Sequence, residues 1–321
     1  MKTLVLIAAA VAIAFAALAA TTDIRTGVWT ADIKDNRVQL SIFPGRTETS
    51  ERRHWNFGGN MMGFQVPLAK LTGLTPGDGD AKFTLRAAAG TIDFEGHFKD
   101  AQGAGHFTFT PSDEFVRDMA QLGYTEFKED ALLLYAVNDL SPALLRELRE
   151  MGYPISRREL DDVAVFRIRP DVIKEYARLG YPNLTFRQLV DLRVGNVDAE
   201  YISALRALGY DHLSAHEVSE SAILGVTPAY IRDLRGAGLT DLSLRQLRDL
   251  RVGNITPKKI EAYRRAGYDN LTPHQLSEMG IMGVTPEFIQ EMNDIGVKDL
   301  RKIIELKTTG AADILLKKRT R

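Results

Sequence analysis

The sequence predicts an α+β protein: an N-terminal antiparallel β-domain followed by an α-solenoid of about seven 29-residue helical-hairpin repeats. Three observations carry this reading. Apolar and polar residues alternate with period two over much of residues 21–110. A glycine followed by an aromatic or aliphatic residue recurs at nearly constant spacing from Gly123 onward. The hexapeptide DLRVGN occurs twice, at Asp191–Asn196 and Asp249–Asn254, and the offset between the copies is twice the glycine spacing.

Residues 1–20, MKTLVLIAAAVAIAFAALAA, have the form of a signal peptide. Lys2 supplies the positive start, Leu4 to Phe15 is an unbroken apolar run, and Ala17-Leu18-Ala19 is a small-x-small cleavage site with Ala20 as an alternative end. The run is short for a span, which needs about 20 apolar residues. The expectation is therefore a cleaved leader and a periplasmic or secreted mature protein, with no stable membrane span; a retained anchor is the rival reading.

In the β-domain, Val38, Leu40 and Ile42 alternate with Gln39 and Ser41. The same pattern appears in Phe64, Val66 and Leu68, in Phe83 and Leu85, in Ile92 and Phe94, and in Phe107 and Phe109. Alternation of this kind gives strands with one buried and one wet face, the habit of antiparallel sheet. Turn formers separate them: Lys34-Asp35-Asn36, Pro76 to Asp80, and Ala101-Gln102-Gly103. The expectation is a meander of five to six strands. A long polar loop, Gly45–Asn60, carries Trp55 and Phe57 beside Arg52, Arg53 and His54. Arg52, Arg53, Trp55 and Phe57 are candidate binding residues, because aromatic and Arg side chains on a loop make contact anchors; the bland alternative folds the aromatics over a sheet edge. His97 and His106 are expected to face each other across a hairpin, and with His54 they could begin a metal site. No carboxylate is placed to orient the rings, so strand histidines at the surface are the expected reading, with no metal or cofactor.

From residue 111 to about 308 the markers Gly123, Gly152, Gly180, Gly209, Gly238, Gly267 and Gly296 follow one another at steps of 29, 28, 29, 29, 29 and 29. Val197, Val226, Ile255 and Val284 keep the same phase. Within one unit, Thr227 is an N-cap, Pro228 occupies the first helical position, and Gly238 ends the helix in the left-handed region. The second helix of a unit opens on an S/T-x-x-E/Q capping box: Ser156/Glu159, Thr185/Gln188, Ser214/Glu217, Ser243/Gln246 and Thr272/Gln275. Its end, Asn254, aligns with Gly225 and Gly283, residues that share a tolerance for left-handed backbone. Helices of about ten residues are marginal alone and need stacked neighbours. Neighbouring units alternate in detail, so the full period is a pair of hairpins. Arg149, Arg206, Arg235 and Arg264 hold equivalent positions in the first helices and are candidate binding residues for an anionic partner. The simpler reading is that each Arg complements the helix dipole and lies over apolar surface. Residues 309–321 read as a basic, solvated tail.

Composition narrows the function. The chain has 321 residues, 41 Lys and Arg against 42 Asp and Glu, and no cysteine. Balanced charge gives no global field for nucleic acid, and the lack of cysteine removes disulfides, thiolate metal sites and Cys nucleophiles. His216-Glu217 lacks the second histidine of a zinc-protease helix, and no nucleophile elbow, P-loop or dinucleotide fingerprint occurs.

The segments GVTPAYIRDLRGAGL and GVTPEFIQEMNDIGV, Gly225–Leu239 and Gly283–Val297, resemble a V-T-P-x-[YF]-I repeat of bacterial exported regions. It is found in relatives of the beta-lactam-sensing (antirepressor) membrane metalloprotease family and in stand-alone secreted proteins of no assigned activity. The β-rich stretch before the repeats is similar to what flanks them there, so the resemblance covers nearly all of the mature chain. The peptidase part and its zinc motif are missing, so neither protease activity nor beta-lactam sensing carries over. What the resemblance implies is an extracytoplasmic module that could be regulatory. The expectation is a non-catalytic interaction scaffold for a protein or peptide in the cell envelope. A β-domain module for a small ligand or envelope glycan, and a cryptic hydrolase using His97 and His106, are the alternatives.

Overall fold

A computed structural model describes residues 25–45 and 61–319. The chain divides into two compact units, one ending at Pro170 and the other beginning at Asp171.

The first unit opens with seven strands: β1 (Thr26–Lys34), β2 (Arg37–Pro44), β3 (Met62–Pro67), β4 (Leu71–Thr72), β5 (Gly79–Ala87), β6 (Gly90–Lys99) and β7 (Gln102–Pro111). They form one antiparallel sheet in the order β3-β2-β1-β7-β6-β5-β4. This exceeds the five to six strands expected, in part because β4, with two residues, is too short to show any periodicity. Laid flat, six inter-strand gaps would separate the edges by roughly 29 Å. Yet the edge strands β3 and β4 are joined by only the 3₁₀ turn Leu68–Lys70, at about 2 Å per residue. The sheet must therefore curl until its edges approach, forming an incompletely closed barrel with a seam between β3 and the β4–β5 side.

Its interior is aromatic. Phe83 and Phe94 stack at 4.7 Å, Trp29 meets Phe83 edge-on at 5.3 Å, and Phe98 lies 5.5 Å from Trp29. The Trp29 indole N–H donates to the His106 carbonyl at 2.9 Å, so the ring is buried without an orphaned donor. It fits because Gly96 and Gly105 pair beneath it: a Cβ on Gly96 would lie 2.7 Å from the indole.

Four helices follow in this unit: α1 (Asp113–Gln121), α2 (Glu129–Val137), α3 (Pro142–Glu150) and α4 (Leu160–Val165), the last entered through a 3₁₀ turn at Arg157–Glu159. Helix α2, EDALLLYAV, is apolar on every side. That suits its place, since it packs on β5, β6 and β7 and also on α4. This wedge is why α1 to α4 group with the sheet, although composition alone sets the boundary near residue 110.

The second unit is helical: α5 (Pro170–Arg178), α6 (Phe186–Val194), α7 (Ala199–Ala207), α8 (Ala215–Ile223), α9 (Pro228–Gly236), α10 (Leu244–Val252), α11 (Pro257–Arg265), α12 (Pro273–Ile281), α13 (Pro286–Asp294), α14 (Leu300–Thr308) and α15 (Ala311–Arg319). All five capping boxes form, including the one in the first unit, and Thr227 accepts from the Tyr230 N–H above Pro228 at the helix start. Asn196, Gly225, Asn254 and Gly283 all take positive φ, at 50°, 74°, 51° and 67°. Helix α14 is capped by Asp299, two positions ahead of Arg301, which aligns with the boxes. The stretch expected to be a basic tail carries α15, which packs on α14 and buries Ala312.

From α6 to α13 the helices pack two places along: α6 on α8, α8 on α10 and α10 on α12 in one series, α7 on α9, α9 on α11 and α11 on α13 in the other. The first series is uneven, and here the two-hairpin period has its cause. At the α10–α12 junction a Cβ on Gly280 would fall 2.1 Å from the Gly253 carbonyl oxygen, and one on Gly253 2.9 Å from that of Ser277. At the α6–α8 junction a Cβ on Gly195 would meet Ala222 at 3.0 Å and the Ser219 carbonyl at 3.3 Å. DLRVGN supplies the glycine and the following hairpin the small residues. Between these tight pairs, α8 and α10 touch more sparsely.

Candidate functional site

Two ladders of hydrogen bonds cross the helical units, and both use residues that the sequence marks out. Arg149 donates to the Leu122 carbonyl at 3.3 Å, Arg206 to Leu179 at 2.6 Å, Arg235 to Leu208 at 2.7 Å and Arg264 to Ala237 at 2.7 Å. Every acceptor lies 27 residues before its donor, at the end of the preceding first helix. Those carbonyls have no partner within their own helix, so each guanidinium caps the neighbouring unit. Where the arginine series breaks at Asn293, the amide takes the same role and donates to Ala266 at 3.2 Å. The four arginines expected to contact an anionic partner are thus engaged in joining units.

The second ladder is made of tyrosines. Tyr176, Tyr201, Tyr230 and Tyr263 donate their hydroxyls to the carbonyls of Val197, Val226, Ile255 and Val284, at 2.7–2.9 Å. The acceptors are the in-phase markers read from the sequence. The donors sit at two different places on their helices, one turn apart and so on the same face. Burial raises the phenol of Tyr176, and pushes those of Tyr201, Tyr230 and Tyr263 up to about 12, so all are neutral donors at neutral pH. Tyr135 is likewise raised, first by burial and then by its hydrogen bond to Asp161 at 2.6 Å.

The other expected site residues fall differently. Arg52, Arg53, Trp55, Phe57 and His54 lie outside the described residues. His97 and His106 do not face each other: His97 pairs with Ala104 and His106 with Glu95, which sets the imidazoles diagonally on the wet face of the sheet. A one-residue error in reading a turn changes such partners, which is why the hairpin sequence misplaces them. His97 Nδ1 lies 3.0 Å from Asp80 Oδ1. Among the described residues no cluster of three His, Asp or Glu could hold a metal ion.

What the sequence reading missed is a row of exposed apolar residues. Val194, Ile223, Val252 and Ile281 are each the last residue of α6, α8, α10 and α12 and are 44–56% exposed. They keep the period of the glycine markers. The signal was available in LRVGN, SAILG and MGIMG, but it is hidden among buried neighbours of the same type.

No family model matches the chain, and no curated protein or solved structure was found to be similar to it.

Proposed function

We propose that the protein is an exported, non-catalytic scaffold whose second unit is an open solenoid of paired helices, and that it receives an extended polypeptide along the row Val194–Ile223–Val252–Ile281. The row is the observation that carries the reading. The last turn of a helix favours Lys or Arg when it faces only water, and β-branched residues carry no helical advantage there. Four β-branched residues at that place in four consecutive units are therefore a cost that an apolar partner would offset. Packing of helix n on helix n+2 supports the open stack, as does the joining of units by Arg and Tyr ladders. Stacked helices repeat at about 8–10 Å, and a polyproline II chain, at about 3.1 Å per residue and three residues per turn, returns a side chain to the same face every 9 Å or so. A partner with an apolar side chain at about every third residue would match the row.

Export rests on the leader-like residues 1–20. Among the described residues, no helix is long and apolar enough to cross a membrane.

The test is selection from a displayed peptide library, followed by counter-selection on V194K/I223K/V252K/I281K. These sites are exposed, so the variant should melt within a few degrees of wild type. Peptides with apolar residues three apart should be enriched on wild type and lost on the variant. Failure to enrich any peptide that discriminates the two proteins would refute the reading.

A further inference from the structure

The barrel seam holds a second feature, independent of the helical row. Because β4 has two residues, it leaves the end of β3 and the end of β5 without a strand between them. A cavity of about 240 Å³ opens there. Its floor is apolar: Val66 and Pro67 of β3, Leu85 and Ala87 of β5, and Ala136 and Val137 of α2. Its remaining wall is cationic, with Arg37, Lys70, Arg86, Arg167 and Arg169 against one carboxylate, Asp139.

Two of these cations have structural duties. Lys70 pairs with Asp139 at 2.8 Å, and Arg169 donates to the Asn138 carbonyl at the end of α2. Arg37, Arg86 and Arg167 make no ion pair among the described residues, so three arginines line one small volume whose single carboxylate, Asp139, is already paired with Lys70.

Arg167 adds an argument from backbone geometry. It has φ of 50°, a left-handed conformation that costs an ordinary side chain. It stands one repeat period before Asn196, and in later units Asn196, Gly225, Asn254 and Gly283 fill the corresponding left-handed place. Asn and Gly are the inexpensive choices there. The preceding unit has Asp139 at this place, with φ of 55°, and only the Arg167 unit puts a long cationic side chain there, in the wall of the cavity.

We propose that this seam is a binding site for a small oxyanion of two or more negative charges, of phosphate or carboxylate type, on a compact body that rests on the Val66–Leu85–Val137 floor. Guanidinium forks bind such groups bidentately, and an apolar floor beneath a few polar groups is the usual build of a small-ligand site. Free oxyanions and anionic lipid headgroups share this chemistry, and vesicle co-sedimentation separates them.

Titration calorimetry on the full mature chain, with pyrophosphate and citrate as probes, tests the assignment. At least one should bind, and R37Q/R86Q should weaken it tenfold or more. R167N removes a charge while suiting the left-handed backbone, so it should also weaken binding at least tenfold without lowering the melting temperature. Lys82, exposed and paired with Glu95 on the outer face of β5 and β6, serves as the control, and K82Q should bind as wild type does. No binding of either probe, or equal loss in K82Q, would overturn the proposal. So would co-sedimentation with phosphatidylglycerol vesicles in the absence of soluble oxyanion binding.

Discussion

Single side chains hold neighbouring units together, and their chemistry can be probed one at a time. Tyr230→Phe removes the donor to the buried Ile255 carbonyl and should cost about 1–3 kcal/mol by urea unfolding, since an acceptor is left unmatched. The same tyrosines set an alkaline limit. A phenol titrates near 10 in the unfolded chain, whereas Tyr201, Tyr230 and Tyr263 titrate at about 12 when folded. Between these values the native state holds protons that the unfolded state has released. Stability is therefore intact below about pH 10 and falls as pH rises toward 12, each tyrosine adding a slope of up to about 1.4 kcal/mol per pH unit. Urea midpoints at pH 8, 10 and 11 should show this decline, and a Phe replacement at all three sites should flatten it. The acceptor residues of this ladder were legible as a 29-residue rhythm. The hydroxyl donors were not, because the outer two sit one turn later on their helices than the inner two and so hide the rhythm that their targets display.

At the level of elements, local rules did well and non-local ones did not. Capping boxes, proline starts and left-handed ends depend on near neighbours in sequence, and all five boxes formed where the sequence placed them. The arginine contacts span 27 residues, and no pairwise pattern within a helix announces them. The seam of the barrel depends on a strand of two residues, below what alternation can reveal. Helix α2 was obscure for another reason: a helix that is apolar on all sides has no stripe to betray which neighbours it meets. Glycine gives a sharp test of the packing. Gly280→Ala at the α10–α12 junction would drive a methyl into the Gly253 backbone, and should lower stability by about 1–3 kcal/mol. Gly236→Ala, in α9 with nothing within 4 Å of the added carbon, should instead raise it by about 0.5–1 kcal/mol. Thermal melts of the two variants should move in opposite directions.

For the molecule as a whole, the proposed solenoid makes length adjustable in a particular quantum. Deleting Val197 to Asn254 removes one full pair of hairpins and joins Asn196 to Ile255, so that a DLRVGN end again meets a hairpin with Ser277 and Gly280. The shortened chain should express as a folded, cooperatively melting protein. Deleting only Val197 to Gly225, a single hairpin, should be the more damaging change although it is half as long. It would seat one DLRVGN helix on the other, and neither brings the small residues that the glycine requires of its partner. Circular dichroism melts of both deletions decide the matter. The unequal junctions also bear on how the second unit would respond to a mechanical pull along its axis. Rupture would begin at the sparse α8–α10 contact, and two-hairpin blocks would come away together. Each block would release roughly 200 Å of slack, at about 3.5 Å per residue. A chain with such give would lengthen in steps under load while its remaining blocks stayed folded.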